Sequence, residues 1–165
     1  MLRRNTHAPD EIVELVTSMR RWATREVDRH YGLIDKFAGD AVMATFNVSG
    51  DRVDHCLHAV ETAIALRDRA APAAIPLGIG VAVGPAVVGR LAPNANISVI
   101  GETTNLAACL QQAAGAGEIV LGDEAHRRVR DWLQARGIAA DERGLSLKGL
   151  PAPVRAFRIP APQRV

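Results

Sequence analysis

The chain has 165 residues, of which 48% are hydrophobic and 23% are charged, so its composition is that of a globular protein rather than a disordered or fibrous one. Its 20 basic residues comprise 18 arginines and only two lysines, Lys36 and Lys148, and the formal net charge is +2. The arginines are dispersed without a dense basic run and aromatic residues make up only 4%, which argues against a nucleic-acid-binding surface.

Cysteine content and apolar runs exclude further classes of protein. Cys56 and Cys109 are too few for a disulfide framework and lack the spacing of a metal-binding pair. No apolar run approaches the roughly 20 residues that span a bilayer, and the first residues are polar where a signal peptide needs an apolar stretch. We therefore expect no membrane contact and a cytoplasmic location.

The first half of the chain predicts a helix followed by a β-hairpin. Apolar residues recur at helical spacing over residues 9–30, and Pro9 suits the first helical position. Two short apolar strands are predicted at 33–37 and 41–46, joined by a turn at Gly39 and Asp40.

The second half predicts alternating strands and helices. In chain order these are a helix ending near Ala70, strands at 75–83 and 97–100, a short helix carrying Asn105, a strand at 119–121, a helix at 123–134 capped by Asp123, and strands at 145–148 and 154–159. This order predicts a single α+β domain over residues 1–165, with helices on one face of a mainly antiparallel sheet.

A ferredoxin-like βαββαβ arrangement fits this order, with one strand lacking. In that fold the chain opens with a strand in the interior of the sheet, and residues 1–8 are too polar and too short to form it. We therefore expect the opening strand to be absent from this chain. Its neighbours would then keep unpaired backbone groups along one side.

Three segments in fixed order resemble the class III adenylate/guanylate cyclase catalytic domain. They are GLIDKFAGDAVMATF at 32–46, GIGVAVGPAVVG with ISVIGETTNLAACL between 78 and 110, and GLSLKGLPAPVRAFRI at 144–159. The resemblance extends from about residue 10 to residue 159. It implies the ferredoxin-like cyclase fold, active sites between two head-to-tail domains, and conversion of ATP or GTP to a 3′,5′-cyclic nucleotide and pyrophosphate.

The resemblance also implies roles for single residues. Asp40 matches a carboxylate that binds Mg²⁺ or Mn²⁺ in a two-metal site, although aspartate also favours turns for its own sake. Lys36 matches the lysine that contacts the purine ring and favours adenine, hence ATP over GTP as the expected ligand. Ser98 matches its partner in base selection, where a hydroxyl can accept from an exocyclic amine, although a surface strand serine is an equally common reading.

Two further matches concern the sugar and the phosphates. Asn105 matches the asparagine that orients the ribose, and its place near a helix start also makes it a candidate capping residue. Lys148 matches a lysine that reaches the terminal phosphates, where a mobile cation neutralises developing charge.

The sequence departs from the family pattern at two positions. The resemblance places the second metal-binding aspartate in the opening strand, which we expect this chain to lack, and it places Cys109 where active members have a transition-state arginine. A thiol supplies neither the positive charge nor the donors of a guanidinium. We therefore expect activity to be weak or absent in this chain alone.

These observations lead to three functional hypotheses. The first is a cyclase that needs a homodimer or a complementary cyclase chain to complete its site. The second is a catalytically silent dimerisation or nucleotide-sensing domain. The third, a ferredoxin-like domain of unrelated use such as RNA binding, is disfavoured by the dispersed arginines and the scarcity of aromatic residues. Exposed apolar residues expected around Val87, Val88 and Leu91 favour a dimer.

Overall fold

The structure, a computed structural model, describes residues 8–163. Within that range the elements are α1 (Pro9–Arg29), β1 (Gly32–Ala38), β2 (Ala41–Phe46), α2 (His55–Ala70), β3 (Ile79–Val81), β4 (Val87–Arg90), β5 (Ile97–Ile100), α3 (Glu102–Ala113), β6 (Ile119–Gly122), α4 (Asp123–Ala135), β7 (Asp141–Leu145) and β8 (Val154–Ile159). This order confirms the predicted mixed α+β architecture. No helix among the described residues is both long and apolar enough to cross a membrane.

The strands form one four-stranded sheet and two separate hairpins. The sheet has the order β3-β6-β8-β7, in which β3 and β6 are parallel and the other two pairs are antiparallel. The hairpins are β1-β2 and β4-β5. Antiparallel pairing therefore dominates, as predicted.

The main core lies on one face of the four-stranded sheet. Ile119 and Leu121 of β6 are fully buried against Val60 of α2 and Val129 of α4. The intervening Val120 points the other way and packs with Leu110 of α3. The prediction that the helices cover only one face is therefore wrong. β6 is apolar at both alternating sets of positions, so both faces of the sheet must be covered.

Helix α1 packs beside the β1-β2 hairpin and forms a second core. Met19, Trp22 and Ala23 are buried there with Ala70 and Ile75. Pro9 occupies the first turn, as predicted, and the Glu11 side chain accepts a hydrogen bond from the backbone N–H of Ala8 at 3.3 Å.

A cavity of about 610 Å³ lies between the hairpin and the four-stranded sheet. Strands β2 and β3 line opposite sides of it, with α1, α2 and α3 contributing further wall residues. Among residues 8–163, β2 pairs only with β1 and β3 pairs only with β6, so each has a side without a strand partner. That an opening strand is absent stays a prediction, because it concerns the start of the chain. The first seven residues lie outside the described part of the chain.

Two predicted strands have different bounds in the structure. The strand predicted at 75–83 is confined to β3, because only Ile79–Val81 pairs with β6. The strand predicted at 145–148 is replaced by β7, Asp141–Leu145, whose charged sequence gives no apolar alternation. β7 is held by pairing with β8, including the Arg155 to Glu142 ion pair at 2.7 Å.

The sequence prediction omits one strand and assigns one helix cap to the wrong residue. Strand β4 has every residue exposed, so it lacks the buried alternation that marks a strand. Asp123 is not the cap of α4: Gly122 is the N-cap, and Asp123 lies in the first turn, where its charge favours the positive helix end.

Candidate functional site

The β1-β2 hairpin carries two of the five predicted site residues. Lys36 lies near the end of β1, and Asp40 follows Gly39, whose φ of +59° the turn requires. The Lys36 side chain is 60% exposed, and Asp40 is half-buried. Both residues line the 610 Å³ cavity, so the structure brings these two together.

An arginine of α1 holds the turn that presents Asp40. Arg20 donates from Nη2 to the backbone oxygen of Gly39 at 2.7 Å, and its guanidinium carbon lies 4.9 Å from the centre of the Phe37 ring. A charge-assisted hydrogen bond and a cation–π contact thus fix the turn to the helix. No local pattern marks this contact, because one arginine among 18 has no distinguishing neighbour.

A second polar contact joins the two hairpins. Asp35 interrupts the β1-β2 register, which shifts between Ile34 and Lys36. Its side chain is only 1% exposed, and its Oδ1 accepts a hydrogen bond from the backbone N–H of Val99 at 3.1 Å. Its Oδ2 lies 3.8 Å from Nζ of Lys36. Asp35 is not among the predicted site residues, although an acidic residue inside the apolar run of β1 is a visible signal in the sequence.

Ser98 lies in β5, directly before Val99. It pairs with Gly89 of β4 and is half-buried, and it does not line the cavity. Because Val99 is bonded to Asp35, the strand that carries Ser98 is fastened to the strand that carries Lys36. The two candidate base-selecting residues therefore lie on strands in contact.

Asn105 is exposed at the fourth position of α3. The N-cap is Gly101, and the backbone N–H of Asn105 donates to the Gly101 oxygen at 3.3 Å. The alternative reading of Asn105 as a cap is therefore wrong, because its backbone already lies inside the helix. Cys109 lies one turn further along α3 and is half-buried.

Lys148 lies outside the cavity that Lys36 and Asp40 line. It is exposed in the loop after β7, and β7 forms the edge of the four-stranded sheet remote from β3. Like Asn105, it does not line the cavity. The structure thus does not gather all five candidates around one pocket of one chain.

The metal-binding capacity of the described residues is limited. Across residues 8–163 no three histidine, cysteine, aspartate or glutamate side chains are grouped so that they could hold a metal ion. A two-metal site therefore does not fit the residues described in one chain, where Asp40 is the single carboxylate matched to it.

Both described cysteines are free thiols, as the sequence predicts. Cys56 is buried in the main core, and this burial raises the pKa of its thiol to about 11. Such a thiol stays protonated at neutral pH and is a poor nucleophile. We therefore assign Cys56 to the hydrophobic core and not to a reactive site.

The β4-β5 hairpin exposes an apolar surface. Val87 is 71% exposed and Leu91 is 76% exposed, and Val88, Ile97 and Ile100 add to the same hairpin. Exposed apolar side chains in such a group are typical of a protein interaction surface.

The comparisons with known proteins point to one family. The family model described as the adenylate and guanylate cyclase catalytic domain matches residues 3–158. The adenylyl cyclase CyaB from P. aeruginosa is similar at a TM-score of 0.78 and 25% identity, covering 96% of this chain and 86% of that chain. The guanylate cyclase domain of RhGC from Catenaria anguillulae, solved in complex with GTP, gives 0.79 at 17% identity, covering 95% and 87%.

Curated relatives come from mycobacteria. An uncharacterized protein of Mycobacterium tuberculosis (strain ATCC 25618 / H37Rv) is 37% identical over 107 residues, which are 62% of this chain and 20% of that protein. Another from the same strain is 31% identical over 153 residues, or 89% of this chain and 28% of that protein. The chain thus spans between a fifth and about a quarter of the length of these relatives.

Proposed function

Because the chain belongs to the adenylate and guanylate cyclase catalytic domain family, we propose that it binds a purine nucleoside triphosphate, ATP in preference to GTP, between two cyclase domains. The observation that carries this proposal is the contact between β1, with Lys36, and β5, with Ser98, through the Asp35 to Val99 hydrogen bond. Lys36 donates to a ring nitrogen, and Ser98 accepts from the exocyclic amine. A compact ammonium on a flexible stem suits a single ring acceptor.

We assign the other two substrate roles by family position. Asn105, exposed on α3, orients the ribose, and Lys148, exposed after β7, neutralises the terminal phosphates. Lys148 follows β7, the edge strand remote from β3, and does not line the cavity that Lys36 and Asp40 line beside β3. This separation supports a site composed from two domains, in a homodimer or with a complementary cyclase chain.

The proposed dimer would cover the apolar surface of the β4-β5 hairpin. Val87 and Leu91 are more than two-thirds exposed there, and burying them between domains would remove apolar area from water. Leu91→Asp should therefore weaken self-association, measured by sedimentation at several concentrations. The control change Val53→Asp, at an 89% exposed valine outside this hairpin, should leave it unchanged. Equal association of both variants would place the interface elsewhere.

The family reaction is attack of the ribose 3′-oxygen on the α-phosphate, with pyrophosphate leaving and a 3′,5′-cyclic ester closing. We propose that this chain alone performs it weakly or not at all. Asp40 is one carboxylate where Mg²⁺ or Mn²⁺ needs several, and Cys109 replaces a charged donor. Loss of one preorganised donor commonly costs on the order of 100- to 1000-fold in rate.

The test is to measure binding and turnover separately on the purified chain. Thermal unfolding with increasing ATP or GTP measures binding, and cyclic nucleotide formation with Mn²⁺ measures turnover. We expect stabilisation by ATP exceeding that by GTP, loss of this difference in Lys36→Glu, and little cyclic product. Rapid product formation that is lost in Asp40→Ala would overturn the proposed weak activity. Identical stabilisation by ATP and GTP would place base selection elsewhere.

The second candidate is a catalytically silent dimerisation or nucleotide-sensing domain. It is favoured by the same two features that weaken the reaction, namely the lack of a three-ligand group in residues 8–163 and the thiol at position 109. Stabilisation by ATP without product, even after mixing with an active cyclase domain, would support it. Product formed only in that mixture would support the composite cyclase.

A further inference from the structure

Asp35 is a buried carboxylate that the cyclase assignment leaves without a role. Its side chain is 1% exposed at the irregularity in β1, although an ionised carboxylate is costly to bury unless its oxygens are paired. A strand position at an irregularity re-aims its side chain relative to its neighbours. Here the displaced side chain turns inward toward β5.

The two oxygens of Asp35 reach two different parts of the proposed base site. Oδ1 accepts from the backbone N–H of Val99, the residue after Ser98, at 3.1 Å. Oδ2 is buried, makes no hydrogen bond within the described part of the chain, and has Nζ of Lys36 at 3.8 Å. One rigid carboxylate therefore spans from the Val99 backbone N–H to the Lys36 ammonium.

The geometry points to Asp35 as a positioning residue for adenine recognition: we propose that it holds Lys36 Nζ and the Ser98–Val99 backbone at a fixed separation. This inference rests on the proposed nucleotide function. Without Asp35, the Lys36 side chain, 60% exposed on a four-carbon stem, would sample many rotamers, and ordering it would oppose binding. Asp35 itself touches no substrate, because its oxygens are shielded from solvent.

Asp35→Asn separates this role from a merely structural one. The amide keeps an oxygen for the Val99 N–H but turns two N–H donors toward the Lys36 ammonium, which cannot accept them. We expect protection of the Val99 amide against hydrogen exchange to persist, while ATP affinity falls about tenfold and the ATP over GTP preference shrinks. Asp35→Ala removes both contacts, so Val99 protection is also lost.

One control variant and three contrary outcomes complete the experiment, all on the full chain with ATP and GTP as probes. Asp131→Asn removes a 91% exposed carboxylate and should change neither measurement. Unchanged ATP affinity in Asp35→Asn, with the wild type binding ATP, would overturn the positioning role and leave the proposed function standing. An unprotected Val99 amide in the wild type would overturn the Asp35 contact directly. Wild-type protein that binds neither nucleotide, with Val99 protected, would overturn the proposed function and with it this role for Asp35.

Discussion

The four-stranded sheet and the β1-β2 hairpin differ in how their residues are held. Every residue of β6 is buried, whereas every residue of β1 and β2, including Asp35 with its buried side chain, keeps part of its surface exposed. The sheet is fixed by apolar packing on both faces. The hairpin has partial apolar packing, with Val42 against the core of α1, and is also held by discrete polar contacts from Arg20 and Asp35. The candidate base and metal residues lie on the hairpin, so their geometry depends on few interactions, and the changes below test that dependence.

The largest effect is expected in the sheet. Leu121→Ala should lower the free energy of unfolding by about 2–5 kcal/mol, because Leu121 is fully buried in β6 and its loss leaves a cavity. Leu33→Ala in β1, where the side chain is 42% exposed, should cost about 1 kcal/mol or less, since little apolar area is returned to water. Urea unfolding of both variants measures the difference. Equal losses would remove the contrast between the two regions.

The next effect concerns the contact of β3 with α3. A Cβ at Gly80 would lie 2.4 Å from both the oxygen of Ala107 and the nitrogen of Gln111, which are backbone atoms. Gly80→Ala should therefore destabilise the fold by about 1–3 kcal/mol and displace the helix that carries Asn105. Gly89→Ala in β4, where a Cβ meets nothing within 4 Å, is the matched control. Similar melting temperatures for both variants would contradict this packing.

A smaller effect is expected at the turn. Arg20→Gln removes the 2.7 Å bond to the Gly39 oxygen and the contact with Phe37, so the free energy of unfolding should fall by about 1–2 kcal/mol. The same change at Arg25, exposed on the same helix, should have almost no effect. Hydrogen exchange should also quicken at the turn in Arg20→Gln alone. No local change there would show that the turn is held by other contacts.

The smallest effect is a pH dependence of stability where α4 packs on the sheet. Burial lowers the pKa of His126, which stacks on Phe157 with ring centres 3.5 Å apart, and the neighbouring Arg130 charge adds to this. Because the unfolded chain then takes up the proton first, His126 removes stability as the pH falls below about 6.5. An NMR titration of the imidazole should give a midpoint below that value. A midpoint above it would contradict the desolvated stack.

Elements with strong local signals were predictable from sequence. Pro9 marks the start of α1, and Gly39 with Asp40 marks the hairpin turn, because proline and glycine restrict or permit backbone angles regardless of the rest of the fold. Strand β7 was misplaced because its charged residues form a strand only through pairing with β8. The cover on both faces of the sheet was missed because a four-residue apolar strand does not say what packs against it.

The candidate site likewise contains residues that local sequence predicts and contacts that only packing creates. Local sequence is enough to predict that Lys36 and Asp40 are neighbours, since both lie within five residues around one turn. The motifs that contain them indicate the family. Packing of distant segments establishes that Asp35 joins β1 to β5, that Arg20 holds the turn, and that Lys148 follows the edge strand remote from β3. The two groups differ in how far apart along the sequence their interacting residues lie. Turn geometry is fixed by adjacent residues, whereas these contacts join residues brought together by packing, such as Asp35 and Val99, 64 positions apart.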